Sequence, residues 1–348
     1  MKATKQVIGH LEKCYALGMF HYDGVDHVAV AAEKKDPCYT FDLQGRQCDT
    51  LWEGPGGVMT VTQVPGQPIV MATEKFYSPN DSAEGKIVYY RKADGRWQRE
   101  LLCELPFVHR FGILKRGGAC YLIACSLKSA HAFKNDWTCP GRVWVAQLPE
   151  DVTQFNAENP LKLEALVSGL TRNHGFSICH ENGADFAVVA SDNGVIRVDP
   201  PCAPGGEWTV EQLLDAPTSD VLYLDFDGDG ERELLTLSPF HGDTLAIHKR
   251  IDGAMREVYR HEKVMPFLHA IWGEEIDGRV YAFIGNREGD RDLIALYWDG
   301  ERYTFDTLDQ HAGAANVLCV RSGEKHLLFA ANRETDEIAL YTLESGAC

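Results

Sequence analysis

Residues 269–309, HAIWGEEIDGRVYAFIGNREGDRDLIALYWDGERYTFDTLD, read as four short strands in succession. Apolar residues alternate with polar ones or cluster in runs of four to eight, and Asp277-Gly278 and Asp299-Gly300 mark turns between them. The same unit returns as NVLCVRSGEKHLLFAANRETDEIALYTLE over residues 316–344. Its first half recurs upstream as HGFSICHENGADFAVVASDNGVIRV from His174 and HRFGILKRGGACYLIACSL from His109. Laid out along the chain, first strands fall near Tyr15, Val58, His109, His174, Val221, His269 and Asn316, a spacing of about 40 to 50 residues that belongs to propeller blades.

These units predict an all-β, seven-bladed β-propeller that occupies residues 1–348 as a single domain. The last copy ends after its third strand, while residues 5–12 form an unassigned strand before the first unit. That N-terminal strand is expected to complete the last blade and leave no edge unpaired. Residues 128–141 form the longest irregular stretch, lying between the second and third strands of the third unit, where a functional loop is expected.

Composition narrows the function classes. Hydrophobic residues make up 45% of the chain and charged residues 24%, a globular balance. A formal charge of −17 repels phosphate backbones and anionic lipid surfaces, so neither nucleic acid nor membrane is an expected partner. No apolar run reaches the length of a membrane span, and the first twenty residues lack a secretory pattern, so a cytoplasmic location is expected. The eleven cysteines contain no C-x-x-C pair and mostly lie inside apolar strands, as free thiols in a reducing compartment do.

In the fifth unit, DFDGDGERE places Asp225, Asp227, Asp229 and Glu233 at alternating positions with glycines at 228 and 230. Hard cations need several converging oxygens, and glycines let a short loop wrap around them. This loop is similar to the calcium loops of FG-GAP or VCBS-type propeller repeats, and the resemblance implies structural calcium held by those four carboxylates. The other six units lack such a loop.

On the opposite face, the links into the first strands carry His109, His174, His269 and His311, with His10 a looser match. Four imidazoles brought to one axis would suit a divalent transition metal, manganese, zinc or iron, with coordination positions left for substrate. The loops after the second strands add Lys34, Lys75, Lys128, Asp192, His241, Arg287 and Arg333. Among these, His241 is the expected acid or base, joined by His109, while Arg287 and Arg333 share the local sequence Asn-Arg-Glu and would grip an anionic or polyhydroxylated group. Lys75, Lys128, Tyr77 and Trp272 are the expected substrate contacts, the two aromatic rings offering faces for a sugar.

The histidine-lined mouth resembles that of propeller polysaccharide lyases, including manganese-dependent oligogalacturonate lyases. The acidic loop and the SPFHGD segment around His241 are similar to the propeller portion of aldos-2-ulose dehydratases, which remove water from keto-sugars such as 1,5-anhydrofructose. Both resemblances imply a metal-assisted carbohydrate lyase or dehydratase that acts by β-elimination on a keto-sugar or uronate-type sugar. A non-catalytic propeller binding a sugar or protein partner is the alternative, because fold does not decide function.

Overall fold

The computed structural model describes residues 1–345, and every strand in it belongs to one of seven four-stranded antiparallel sheets. Six of these are local meanders. In the first blade, for example, Cys14–Tyr22, Val25–Ala32, Cys38–Asp42 and Gln47–Trp52 follow one another from the axis outward. The seventh joins the two ends of the sequence: Lys2–His10 pairs antiparallel with Glu337–Glu344, outside Lys325–Asn332 and Asn316–Ser322. The architecture is therefore the seven-bladed β-propeller read from the repeat, closed by the N-terminal strand.

Period-two alternation explains the outermost strands. Thr209–Leu214 and Ala254–Arg260 are almost wholly exposed, as the rim of such a ring must be. The second strands instead are buried on both faces, so that Ile69–Glu74 and the 186–191 portion of Ala184–Ser191 read as unbroken runs. Seven apolar clusters form, each seated between two neighbouring blades, so that every blade packs face to face on the next. Small side chains fill the narrow end of each wedge: Ala29, Ala31, Ala124, Ala187, Ala282 and Ala330 are completely buried near the axis.

The second blade differs from the expected pattern. Its inner strand is only Val61–Gln63, because the chain approaches through Gly56 and Gly57 rather than in extended pairing from Val58. Gly57 has φ +75°, and a Cβ on Gly56 would lie 1.1 Å from the carbonyl oxygen of Lys34, so neither position admits a side chain.

The described cysteines are free, and none is in a disulfide. No helix among the described residues is long and apolar enough to cross a membrane.

Candidate functional site at the channel mouth

Blade-to-blade repetition builds the site. Lys13, Phe107 and Phe267 all have positive φ, and each stands two residues before Tyr15, His109 or His269. Their carbonyls accept hydrogen bonds from the backbone of Glu33, Leu127 and Arg287, residues in or just past the end of the second strand of the same blade. Arg172, also at positive φ, stands two residues before His174. One left-handed residue thus turns the chain so that the side chain two positions later aims at the axis.

The imidazoles meet there. Ring centroids are 4.4 Å apart for His109 and His174, 5.1 Å for His174 and His241, 5.3 Å for His174 and His269, and 5.5 Å for His241 and His269. One ring nitrogen from each of His174, His241 and His269 lies within 4.8 Å of the other two, close enough for a single ion to be reached by all three.

Two backbone contacts settle which nitrogens are available. His174 Nδ1–H donates to the carbonyl of Ser219 at 3.0 Å, and His269 Nδ1–H donates to that of Ala315 at 2.6 Å. In both cases the acceptor sits on the next blade, and a carbonyl can only accept, so each imidazole carries its proton on Nδ1 and turns its Nε2 lone pair elsewhere. The Nε2 atoms of His174 and His241 are buried without any partner, as is Nδ1 of His109. His269 Nε2 instead accepts from the Tyr15 hydroxyl at 2.9 Å. Tyr15 also lies 3.5 Å from Nε2 of His109.

Burial dominates the electrostatics. It pushes His109, His174 and His269 well below the ordinary histidine range, helped by Arg110 and by mutual repulsion. His241 is lowered to about 3 by burial, then by Arg287 and Arg172. All four are therefore neutral near pH 7, the state in which imidazole binds a metal. Burial also raises the Tyr15 hydroxyl to about 12, so it stays protonated.

Aromatic rings surround the group. Phe240 stacks on His241 at 3.9 Å between centroids, and Phe267 lies 4.4 Å from the same imidazole. Phe76 meets His109 edge-on. Trp137, from the 128–141 insertion, reaches Phe240, and Arg172 lies over both rings.

The sequence expectations divide accordingly. His109, His174 and His269 converge, and His241 joins them. His311 does not: it is exposed, its backbone bonded to Asp290, and Ala315 takes the equivalent position four residues later. His10 lies in the outer closing strand, paired with Glu337.

Arg287 lies against the Phe267 ring and close enough to lower the histidines, yet its guanidinium is held by Glu334 at 2.7 Å. Arg333 is further engaged, by Glu33 and by Glu334. Lys75 pairs with Glu84 at 2.7 Å. Lys128 is fully buried, donating to the carbonyl of Asp136 at 2.8 Å under the Trp137 ring, so it anchors the insertion and offers nothing to a ligand. Tyr77 lines a separate cleft with Lys34, Lys35 and Asp36. Trp272 faces the other half of the channel, away from the histidines.

Tyr15, Phe76, Phe240, Phe267 and Trp137 were missed. A signal for Tyr15 was present: it holds the same place in its repeat as His109 and His269.

The acidic loop lies on the opposite face, in the turn between Asp220–Leu224 and Glu233–Ser238. Its four carboxylates can come within 4.8 Å of one another. Lys249 Nζ stands among them, 2.6 Å from Asp229, 3.2 Å from Glu233, and in contact with Asp227. The donor set suits calcium, but the ion would have to displace this ammonium group.

No family model and no curated protein matches the chain, so the likeness to FG-GAP repeats rests on the acidic loop alone. Solved structures do resemble it. Virginiamycin B lyase from Staphylococcus aureus superposes with a TM-score of 0.60 at 14% identity, over 98% of this chain and 100% of the other. Saccharomyces cerevisiae Sqt1 gives a TM-score of 0.54 at 12% identity, over 99% of each chain. At such identities the likeness is one of fold.

Proposed function

We propose that this chain is a divalent-metal-assisted carbon–oxygen lyase acting by β-elimination on a small carbohydrate with a ketone or carboxylate beside the C–H bond that is broken. One observation carries the reading: three neutral, buried imidazoles on separate blades present ring nitrogens within 4.8 Å of one another, and two of those residues have Nε2 atoms with no partner. Unpartnered buried nitrogens cost stability, and a ligand at the channel mouth supplies the missing contact. That a solved propeller of similar fold is named a lyase is compatible with this chemistry.

His174, His241 and His269 would hold the ion, which would polarise the substrate oxygen and stabilise the enolate formed on proton removal. His109, whose Nδ1 is unpartnered and whose ring is neutral, accepts the proton from carbon. The electron pair released from the C–H bond expels the β oxygen. Tyr15, between His109 and His269, delivers a proton to that leaving oxygen. Arg287, fixed by Glu334, supplies positive potential beside the developing charge, and Phe240 and Trp137 cover the carbon face of the sugar. In this arrangement His241 is a ligand rather than the acid or base, because one of its ring nitrogens converges with those of His174 and His269.

The test is metal analysis of purified protein together with a panel of uronates and keto-sugars, read by the ultraviolet absorbance of an unsaturated product. The wild type should carry close to one divalent transition ion and turn over a member of the panel. His174→Ala and His269→Ala should lose both ion and turnover. A folded wild type with no such ion and no elimination overturns the reading and leaves the non-catalytic alternative.

A further inference from the structure

Beyond the histidines the channel continues as a second cavity of about 440 Å³, bounded by Leu17, Phe111, Phe176, Ile271, Trp272 and Leu318. Met19 and Ile178, 42% and 45% exposed, form part of its lining on the inner strands. A smaller recess of about 150 Å³ shares those six walls and adds Arg110, Asn316 and Asp220. The axis is therefore divided into a histidine mouth, a polar waist and an apolar chamber.

Arg110 distinguishes the waist. Its Nη1 donates to the carbonyl of Met59 at 3.0 Å and its Nη2 to Oδ1 of Asn316 at 3.1 Å, both neutral acceptors. Arg99, Arg197, Arg287 and Arg333 each hold a carboxylate. Arg110 has no carboxylate within ion-pair distance among the described residues, in a chain with 51 acidic against 34 basic side chains. A guanidinium fixed at two of its five N–H groups and opening into an apolar chamber is prepared for an anion. The neighbouring acid, Asp220, is only 2% exposed and its Oδ1 accepts from the Val221 and Phe176 backbones, so Arg110 is the more accessible charge.

We propose that this half of the channel binds a small monocarboxylate with an apolar body, the carboxylate on Arg110 and the body against Phe111, Phe176 and Trp272. Chamber size and lining match those of small-molecule sites, mostly apolar walls with one or two polar groups that set orientation. The site adjoins the histidines, with Asp220 Oδ2 3.9 Å from Nδ1 of His174, so it can regulate them or take a different ligand altogether.

Three probes of one shape decide it: 4-phenylbutyrate, 4-phenylbutanol and 4-phenylbutylamine, titrated into the full chain by calorimetry and by tryptophan fluorescence, with Trp272→Phe identifying the local signal. The carboxylate should bind about tenfold or more tightly than the other two, the value of one charge-assisted contact. Arg110→Gln should abolish that preference while leaving the alcohol unchanged, and Arg110→Lys should retain part of it, which also guards against a folding defect in the first variant. His241→Ala should bind the carboxylate as wild type does. Equal affinities for the three probes, preference for the amine, an unchanged Arg110→Gln profile, or loss of binding in His241→Ala would each overturn the proposal.

Discussion

The Tyr15 hydroxyl donates to Nε2 of His269 at 2.9 Å, joining the first blade to the sixth across the axis. This bond occupies a lone pair that a metal would need, so ion and phenol compete for the same nitrogen.

Tyr15→Phe should therefore bind zinc or manganese more tightly than wild type. Releasing a net hydrogen bond of about 1 kcal/mol corresponds to a gain of roughly fivefold. Calorimetric titration of metal-stripped protein checks this, and weaker binding would assign Tyr15 to the ion's own coordination. Turnover should fall in the same variant, by about a hundredfold or more, if the phenol is the proton donor.

Acid should destabilise the metal-free protein early. His241 titrates near 3 when folded, and His109, His174 and His269 are also lowered, whereas unfolded imidazoles titrate near 6.5. Between those values the unfolded state binds more protons, so stability is full above about pH 6.5 and lost as pH falls. Each such histidine contributes a slope of about 1.4 kcal/mol per pH unit within that window. Urea titrations of wild type and His241→Gln from pH 7 to 4.5 should show a shallower decline in the variant; parallel curves would contradict the assignment.

Asp220 works in the opposite direction. Burial raises its carboxyl to about 6 against the pull of Arg110, so the folded state binds the extra proton and stability falls as pH rises from about 4 to 6. Asp220→Asn removes that penalty and should raise stability at pH 8 by an amount on the order of 3 kcal/mol. The Tm difference between variant and wild type should shrink towards pH 4.

Lys249 should make the acidic loop independent of calcium. Wild-type Tm should be the same in excess chelator and in millimolar calcium. Lys249→Met leaves Asp225, Asp227, Asp229 and Glu233 without their cation, so it should be less stable in chelator and regain several degrees with calcium. A large chelator effect on the wild type would show that the ion displaces the lysine in solution.

The ring was legible because strand length, turn chemistry and repeat spacing all report on local pairing, and six of seven blades are local. His109, His174 and His269 could be placed for the same reason: each occupies a fixed position in its repeat. His311 was misplaced by reading residue type ahead of position, since Ala315 holds the equivalent place. Tyr15 was missed through the same preference for imidazole. The charges of the second-strand loops were harder. Glu334 meets Arg287 and Glu33 meets Arg333 across 47 and 300 residues, and no local pattern reveals that these cations already have partners. Arg110 escaped notice because its significance lies in the carboxylate it lacks.

The closing strand sets a constraint on how the ring is assembled. Lys2 pairs with Glu344, while each of the other six sheets is complete within a short local segment. During vectorial synthesis those six can form as they leave the ribosome, but the 2–10 segment must wait for a partner made almost a full chain later. Until then Lys2–His10 is an unpaired edge available to any other strand, and the slowest folding step should be this long-range docking.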